Sequence, residues 1–138
     1  MGQSLKTVDE PSLAPGVFDR LQQATADTAS VAELYRDYLA DVRSALVELR
    51  SALERKQAEE FRSRAHYVKG SSLILGANVV AQCCTKLEEM GRHSEFSGAE
   101  QLLDRTASAI DRVEAELVMR LGPVVAPAKD QQLRDPFQ

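Results

Sequence analysis

Apolar residues recur at intervals of three and four along most of the chain, which is the spacing of amphipathic helices. A short periodic piece begins near residue 15, and a run of about twenty residues follows Ser30, which forms a capping-box signature with Glu33. Three further periodic runs come after it. The inner stripes of the four long runs contain Val31, Tyr35, Tyr38, Val42 and Leu49; Phe61, Ala65, Val68, Ser72 and Leu75; Val80, Cys84, Leu87 and Gly91; and Leu102, Leu103, Thr106, Ile110, Val113 and Leu117. The pattern predicts one short helix followed by four long ones.

Glycine and polar residues between the runs predict where the helices end. Gly76 stops the third helix and Asn78 starts the fourth. Ser97 and Glu100 form a second capping box, so the fifth helix is expected to begin there and to run to residue 121. The stretch GRHSEFSG between the fourth and fifth helices is predicted to be a loop.

The two ends of the chain lack helical periodicity. A Pro-containing leader over 1–14 is expected to be flexible, and a Pro-containing tail over 122–138 is expected to be disordered. One domain over 15–121 remains, which suits a chain of 138 residues. Four amphipathic helices with short connections bury their stripes most simply as an antiparallel up-down-up-down bundle, with the short helix covering one end. The predicted fold class is therefore all-α.

Composition agrees with a helical protein and narrows the partners. Aromatic residues make up 5% of the chain and Trp is absent. The net charge is −4, so the basic excess that nucleic-acid binding needs is missing. No apolar run has the roughly 18 to 20 residues of a membrane span, and no signal peptide is recognisable. We expect a monomer in the cytoplasm that binds other proteins, without nucleic acid or membrane.

Two cysteines and a second histidine offer no obvious chemistry. Cys83 and Cys84 are adjacent, point about 100° apart on a helix and are expected to be buried thiols rather than zinc ligands. His93 falls in the predicted loop without ligand-type neighbours one turn away. We expect no metal and no cofactor on this chain.

His66 is predicted to lie on the outer face of the third helix. At about 100° per residue from Phe61, His66 falls at about 140°, Gly70 at about 180° and Lys69 at about 80°. A glycine inside a helix costs about 1 kcal/mol relative to alanine, so Gly70 needs a reason. Either small residues such as Gly70 and Ser72 let a neighbouring helix approach, or the gap leaves the His66 imidazole open to a bulky reactant, with Lys69 near any anion. The wheel supports the first reason for Ser72, which faces the core, but not for Gly70.

The segment AHYVKGSSLILGA, with VVAQCCTKLEEMGR after it, resembles the HxxKGSSxxxGA signature of histidine-containing phosphotransfer (HPt) proteins. These are four-helix-bundle intermediates of phosphorelays without kinase or phosphatase activity of their own. The resemblance implies that a histidine takes a phosphoryl group from the aspartate of one receiver domain and passes it to another. The implied partners are the receiver domains of hybrid histidine kinases and of response regulators, which bring the Mg²⁺.

The resemblance also assigns roles to the residues of the motif. His66 is the phosphorylated residue, Lys69 offsets phosphoryl charge, and Gly70 gives clearance to the incoming receiver. The serines match the motif with a less clear role: Ser72 is expected to pack inside, and Ser71 to bond back to the preceding turn.

On the fourth helix, Thr85, Glu88 and Arg92 are predicted to lie to one side of the core stripe, where they could flank His66. In the members that this segment resembles, a Gln that orients the imidazole commonly stands at the position of Glu88, and a basic residue at that of Arg92. Glu88 departs from this pattern, and its carboxylate would stabilise a protonated imidazole at some cost in nucleophilicity. Alternatively, Glu88 simply forms an i,i+4 ion pair with Arg92, and we favour this interpretation.

Apolar side chains near His66 are candidates for partner docking. Tyr67 and Leu73 lie off the core face, and Val17 and Leu21 of the short helix could cover the same end of the bundle. A helical adaptor that binds receivers without phosphotransfer is an alternative, although the retained histidine argues against it. A bundle hydrolase would need paired carboxylates or a nucleophile with a base, and the sequence offers neither.

Overall fold

The computed structural model of the protein describes residues 11–25 and 28–122, and within them it contains five helices and no strand. The helices are α1 (Pro15–Thr25), α2 (Thr28–Glu54), α3 (Ala58–Leu75), α4 (Asn78–His93) and α5 (Ala99–Leu121). The predicted all-α class and the order of one short and four long helices are confirmed. None of the helices in these residues combines the length and the apolarity that a membrane crossing requires.

The four long helices form a ring. Helix α2 packs against α3 and α5, and α4 packs against the same two helices, while α1 packs on α2. Connections of only a few residues join successive long helices, so neighbours run antiparallel. The predicted antiparallel bundle with a short additional helix is therefore confirmed.

The core of the bundle is built from the predicted stripes. Its largest fully buried side chains include Tyr35, Phe61, Leu49, Leu87, Leu103, Ile110 and Leu117. Each such side chain contributes about 1.5–3 kcal/mol by leaving water. The Tyr35 hydroxyl donates a hydrogen bond to the Leu75 carbonyl over 2.8 Å, and burial raises the pKa of Tyr35 to about 12. This bond ties the end of α3 to α2.

Helix ends follow tertiary packing more than local caps. Helix α2 begins at Thr28, so Ser30 lies inside it and the predicted capping box is wrong; the buried Val31 and Ala32 decide where the first turn sits. The helix is 27 residues long, well above the expected twenty. At the C-terminal end of α3, the predicted stop at Gly76 is confirmed, because Gly76 adopts the left-handed conformation with a φ of +82° and ends the helix.

The connection between α4 and α5 is shorter than predicted. Helix α4 continues through His93, which is therefore helical rather than in a loop and lies 3.4 Å from Glu89. The second capping box is also wrong, since Gly98 caps α5 with a φ of +81° and Ser97 makes no cap hydrogen bond. Glycine adopts this conformation without steric cost, so the turn needs no side-chain cap. The predicted end of α5 at residue 121 is confirmed.

The segment before α1 is partly ordered against the bundle. Leu13 is buried at 1% exposure, and the Ala14 N–H donates to the Gly76 carbonyl over 2.8 Å. An apolar side chain of the predicted leader thus fills the core, while the flexibility of the leader stays a prediction. Residues 1–10 of the predicted leader, and the predicted tail beyond residue 122, lie outside the described residues.

Candidate functional site

His66 projects from the outer face of α3. Its side chain is 64% exposed, whereas the stripe beneath it is buried. The buried residues of α3 are Phe61, Ala65, Val68, Ser72 and Leu75. The angular prediction for His66 is confirmed, because helical periodicity alone decides which residues of one helix share a face.

Gly70 leaves open space one turn after His66. A Cβ built at Gly70 would meet no atom within 4 Å, so no neighbouring helix uses the gap. Close approach of a helix is thus the wrong reason for this glycine. Ser72, in contrast, is fully buried, and its hydroxyl lies 2.6 Å from that of Tyr38 on α2. Of the two reasons for Gly70, clearance for an incoming molecule remains.

Glu88 of α4 lies beside the inner edge of the imidazole. Its Oε2 is 2.9 Å from His66 Nδ1, and its Oε1 is 2.8 Å from Lys69 Nζ. Glu88 is only 4% exposed, so water cannot replace these partners easily. The site thus joins an exposed histidine on α3 to a buried carboxylate on α4.

The charge state of Glu88 decides which nitrogen of His66 is free. Burial alone would raise the pKa of Glu88, but the hydrogen bonds with Lys69 and His66 outweigh burial and hold the pKa below its ordinary value. The carboxyl group is therefore ionised at neutral pH and can only accept hydrogen bonds. A neutral His66 must then carry its proton on Nδ1, and the lone pair of Nε2 is left free.

Two arginines complete the surroundings of Glu88. Arg92 approaches Oε2 to 3.4 Å and also contacts Glu89 at 3.1 Å. Arg62 lies 3.9 Å from Oε2 and pairs more closely with Glu59, at 2.6 Å. The favoured i,i+4 pair of Glu88 with Arg92 is therefore present, but it is not the main contact of Glu88, because the two shortest contacts are with His66 and Lys69 of α3.

A close approach of α3 and α4 makes the contact between them possible. A Cβ at Gly91 would stand 2.8 Å from both the backbone nitrogen and the Cβ of Arg62. Only glycine fits this crossing, and it brings the preceding turn of α4, with Glu88, under His66. Gly91 was predicted from the sequence to lie on the inner stripe, but its role in setting the distance between α3 and α4 was not predicted. The signal was present, since this glycine interrupts an otherwise apolar helical face.

A comparison with known families identifies this arrangement. The sequence model of the family described as Hpt domain matches residues 33–116, which is more than half of the chain. The chain belongs to the Hpt domain family. This Hpt domain is also similar to the crystal structure of histidine-containing phosphotransfer protein B (HptB) from Pseudomonas aeruginosa PAO1. The two share 27% sequence identity with a TM-score of 0.76, over 82% of this chain and 96% of the other. No curated protein sequence matches the chain significantly.

Family membership gives the site a general role. Hpt domains are phosphotransfer carriers of phosphorelays rather than kinases or phosphatases. The predicted family and its helical bundle are confirmed.

The remaining motif residues of the Hpt domain have structural partners. The Ser71 hydroxyl donates to the Val68 carbonyl over 3.2 Å, as expected of a serine that bonds back to the preceding turn. Thr85 turns its hydroxyl to the Ala81 carbonyl at 3.0 Å. Both hydroxyls thus bond to the backbone of their own helix.

An exposed apolar strip follows His66 along α3 of the Hpt domain. Tyr67, Leu73 and Ile74 are 48%, 55% and 72% exposed. Ile74 was missed by the sequence analysis, although its position beside Leu73 puts it outside the core stripe. The Tyr67 hydroxyl donates a hydrogen bond to Asp41 of α2, which raises the pKa of Tyr67. We call Tyr67, Leu73 and Ile74 the α3 strip.

The α1 candidates lie beyond the end of this strip. Val17 and Leu21 are half-buried, and Val17 lies where a side chain at Gly76 would touch it. Gly76 is ten residues after His66, a distance of about 15 Å along a helix. Val17 therefore extends the apolar surface away from the histidine rather than framing it.

The cysteines of the Hpt domain are free thiols. Cys84 is fully buried as predicted, and burial raises its pKa to about 12. Cys83 is half-buried rather than buried, and burial raises its pKa as well. Thiols with raised pKa values are poor nucleophiles.

Proposed function

We propose that this Hpt domain accepts a phosphoryl group from a receiver-domain aspartate on Nε2 of His66 and passes it to the aspartate of another receiver. One observation carries the proposal: Nδ1 of the exposed His66 is engaged by the ionised Glu88, and the space beside the ring at Gly70 is open. This arrangement presents an imidazole lone pair to a large reactant.

The chemistry needs little from this chain. The Nε2 lone pair attacks phosphorus, the bond between phosphorus and the aspartyl oxygen breaks, and the electron pair leaves with the carboxylate of the receiver. The Nδ1 proton stays on the ring, which then carries a positive charge that faces Glu88. The return step reverses these bond changes on the second receiver. A neutral imidazole attacks without a general base, so no further group has to take up a proton.

Lys69 is proposed to offset the charge of the phosphoryl group. Its side chain is 26% exposed and follows His66 by one turn of α3. The ammonium group can therefore turn from Glu88 towards an anion on the ring without moving the backbone. We propose that the partner receiver holds the Mg²⁺ and most of the positive charge, and that this chain uses no cofactor.

The α3 strip and Gly70 are proposed to form the docking surface, with Val17 and Leu21 at its end. An apolar surface next to the reacting nitrogen suits a partner that must bring its aspartate to the ring and then leave. The proposed partners are receiver domains of hybrid histidine kinases and of response regulators. A monomer in the cytoplasm that does not bind nucleic acid or membranes remains our prediction.

The two histidines of the chain allow a matched test. Wild type, His66→Gln and His93→Gln are incubated with a receiver phosphorylated by a small-molecule acyl phosphate, and label is followed by intact mass. Wild type and His93→Gln should take up an acid-labile, base-stable phosphoryl group, and His66→Gln should not. Phosphorus NMR of the labelled chain distinguishes an Nε2 from an Nδ1 phosphoryl group. Binding of several receivers without any label on wild type would overturn the proposal and favour the adaptor.

A further inference from the structure

The acidic residues on one side of α5 are used within the fold. Asp111 lies 3.0 Å from Arg43 of α2, and Asp104 lies 3.1 Å from Arg50 of the same helix. The residue after each aspartate is an arginine, and one step along a helix turns a side chain by about 100°, here away from α2. Helix α5 thus has its paired acidic residues towards α2 and these arginines on another side.

These two arginines, Arg105 and Arg112, have no carboxylate partner among the residues that the structure describes. Glu116 follows Arg112 by one turn but pairs with Arg120 instead, at 3.0 Å. Both Arg105 and Arg112 are exposed. Their charges are therefore available to another molecule.

Lys86 of α4 adds a third cation beside them. Burial raises the pKa of the Cys83 thiol, and a hydrogen bond with Thr106 of α5 works against this rise. The positive charges of Lys86, Arg105 and Arg112 act in the same direction as the hydrogen bond, so all three lie near the thiol. Lys86 is also exposed and makes no ion pair within the described part of the chain.

An exposed methionine continues the row of arginines. Residues seven apart on a helix share a face to within about 20°, so Arg105, Arg112 and Met119 form one line about 21 Å long. Met119 is 85% exposed, the most exposed of the large apolar side chains that the structure describes. Arginine and methionine are both enriched at protein interfaces. We call Arg105, Arg112 and Met119 the α5 line.

Uncharged side chains lie next to the α5 line. Gln101, Ser108 and Ala115 each precede a member of the line by four residues, about 40° away, and all three are exposed. Another helix can therefore lie against this face without burying an acidic group of α5. Helix α3, which carries His66, packs on α2 and α4 and stands across the ring from α5, so this face is separate from the candidate phosphotransfer site.

We propose that the α5 line binds an acidic amphipathic helix of another protein, with carboxylates seven residues apart facing Arg105 and Arg112 and an apolar side chain against Met119. Three cations without a counterion on this chain select an acidic partner. The length of the line matches about 14 residues of helix. Met119 favours a protein over a nucleic acid, since phosphates gain nothing from an apolar side chain.

A designed peptide serves as the probe. It is a fluorescent helix of about 21 residues, with Glu at two positions seven apart and Leu seven further on, and a scrambled peptide has the same composition. The full chain should bind the ordered peptide more tightly by fluorescence anisotropy, with amide NMR shifts concentrated at the α5 line and Lys86. Arg105→Gln with Arg112→Gln should weaken binding about tenfold, as expected for the loss of two ion pairs.

The matched control is Arg20→Gln with Lys56→Gln. It removes the same charge from two exposed cations outside α4 and α5, and it should bind the ordered peptide like wild type. Met119→Ser should weaken binding at every salt concentration, whereas the α5 arginine variant should also reduce the dependence on salt. Urea unfolding shows that each variant is folded.

Equal binding of the two peptides, or equal losses in the two double variants, would overturn the proposal, because net charge alone would then explain binding. Duplex DNA that binds more tightly than the ordered peptide, and loses binding in the α5 arginine variant, would overturn it in favour of a nucleic acid. Self-association that Met119→Ser abolishes would overturn it in favour of a second copy of this chain.

Discussion

Gly91 and Arg62 are in such close contact that a methyl group at position 91 would stand 2.8 Å from the Arg62 backbone nitrogen. Real Cβ atoms do not approach backbone atoms this closely, so the contact fixes the spacing of α3 and α4. Glu88 lies one turn before Gly91 and reaches Nδ1 of His66 only because the helices are this close. The contact between His66 and Glu88 thus depends on a glycine that His66 does not touch.

Gly91→Ala is expected to destabilise the protein although alanine is the better helix former. The higher helix propensity of alanine should raise the free energy of unfolding by about 1 kcal/mol. A clash with backbone atoms in a packed interface should lower it by about 1–3 kcal/mol. The shift of α4 should also lengthen the contact between His66 and Glu88 and slow phosphotransfer. Urea unfolding and transfer from a phosphorylated receiver measure the two effects. A variant that is more stable than wild type would contradict this account of the crossing.

Substitution of Gly70 should instead stabilise the protein while it slows phosphotransfer, as measured by the same urea unfolding and transfer assays. Because a Cβ at Gly70 meets nothing within 4 Å, Gly70→Gln should gain about 0.5–1 kcal/mol of stability from helix propensity. The same side chain fills the space beside His66, so phosphotransfer should fall. Unchanged transfer rates in a stabilised variant would show that the gap is not needed for the receiver.

Leu73→Asp should slow phosphotransfer without unfolding the bundle. Leu73 is 55% exposed in the α3 strip, so a charge there costs little stability but disfavours an apolar partner. Val47→Asp is the matched control, because Val47 is 68% exposed on α2. It lies between Arg43 and Arg50, which both pair with acidic residues of α5, so it faces away from α3. The docking surface would be wrong if both variants slowed transfer equally, or if neither did.

The buried pair of Tyr38 and Ser72 should contribute mainly to stability. Ser72→Ala leaves the Tyr38 hydroxyl without its partner at 2.6 Å, a loss of about 1–3 kcal/mol. The double variant with Tyr38→Phe should cost less than the sum of the single changes, as expected of groups in direct contact. Ser71→Ala, next to it in the motif but half-buried, should be nearly neutral. If the losses of the two single variants add up in the double variant, the hydrogen bond between Tyr38 and Ser72 does not contribute to stability.

Glu88 should make the stability of the bundle sensitive to acid. Its pKa is lower in the folded chain than its ordinary value, so it stabilises the fold above that ordinary value. The contribution is lost as the pH falls through the lowered pKa. The difference in unfolding free energy between wild type and Glu88→Gln should therefore shrink as the pH falls from about 6 to about 3, because carboxyl groups titrate roughly in this range. Urea unfolding across this range measures it, with Glu89→Gln as the control, and a difference that widens in acid would refute the assignment.

The faces of α3 could be predicted from the sequence because they depend on one helix alone. A turn of about 100° per residue is the same wherever the helix packs, so His66 and Gly70 had to share the outer face once Phe61 and Val68 faced the core. The family motif then indicated His66 as the candidate phosphorylated residue, and that assignment stays a prediction.

The partners of Glu88 could not be predicted in the same way. They depend on how α4 is rotated and how near it stands to α3, which the contact between Gly91 and Arg62 decides. The capping boxes failed for a related reason. A cap is worth only about 1 kcal/mol, and the burial of Val31 outweighs the local preference of Ser30.

The contacts of Glu88 with Lys69, His66 and Arg62 join α4 to α3, its neighbour along the chain, and the contact with Arg92 lies within α4. The ring, in contrast, closes through α2 and α5, which lie far apart in sequence. Pairings that are local in sequence close small loops and form quickly, while distant pairings carry the larger loss of chain entropy. The surroundings of His66 thus belong to a helical hairpin that can assemble before the ring is complete. Local opening of α5 would then leave the histidine with its native partners.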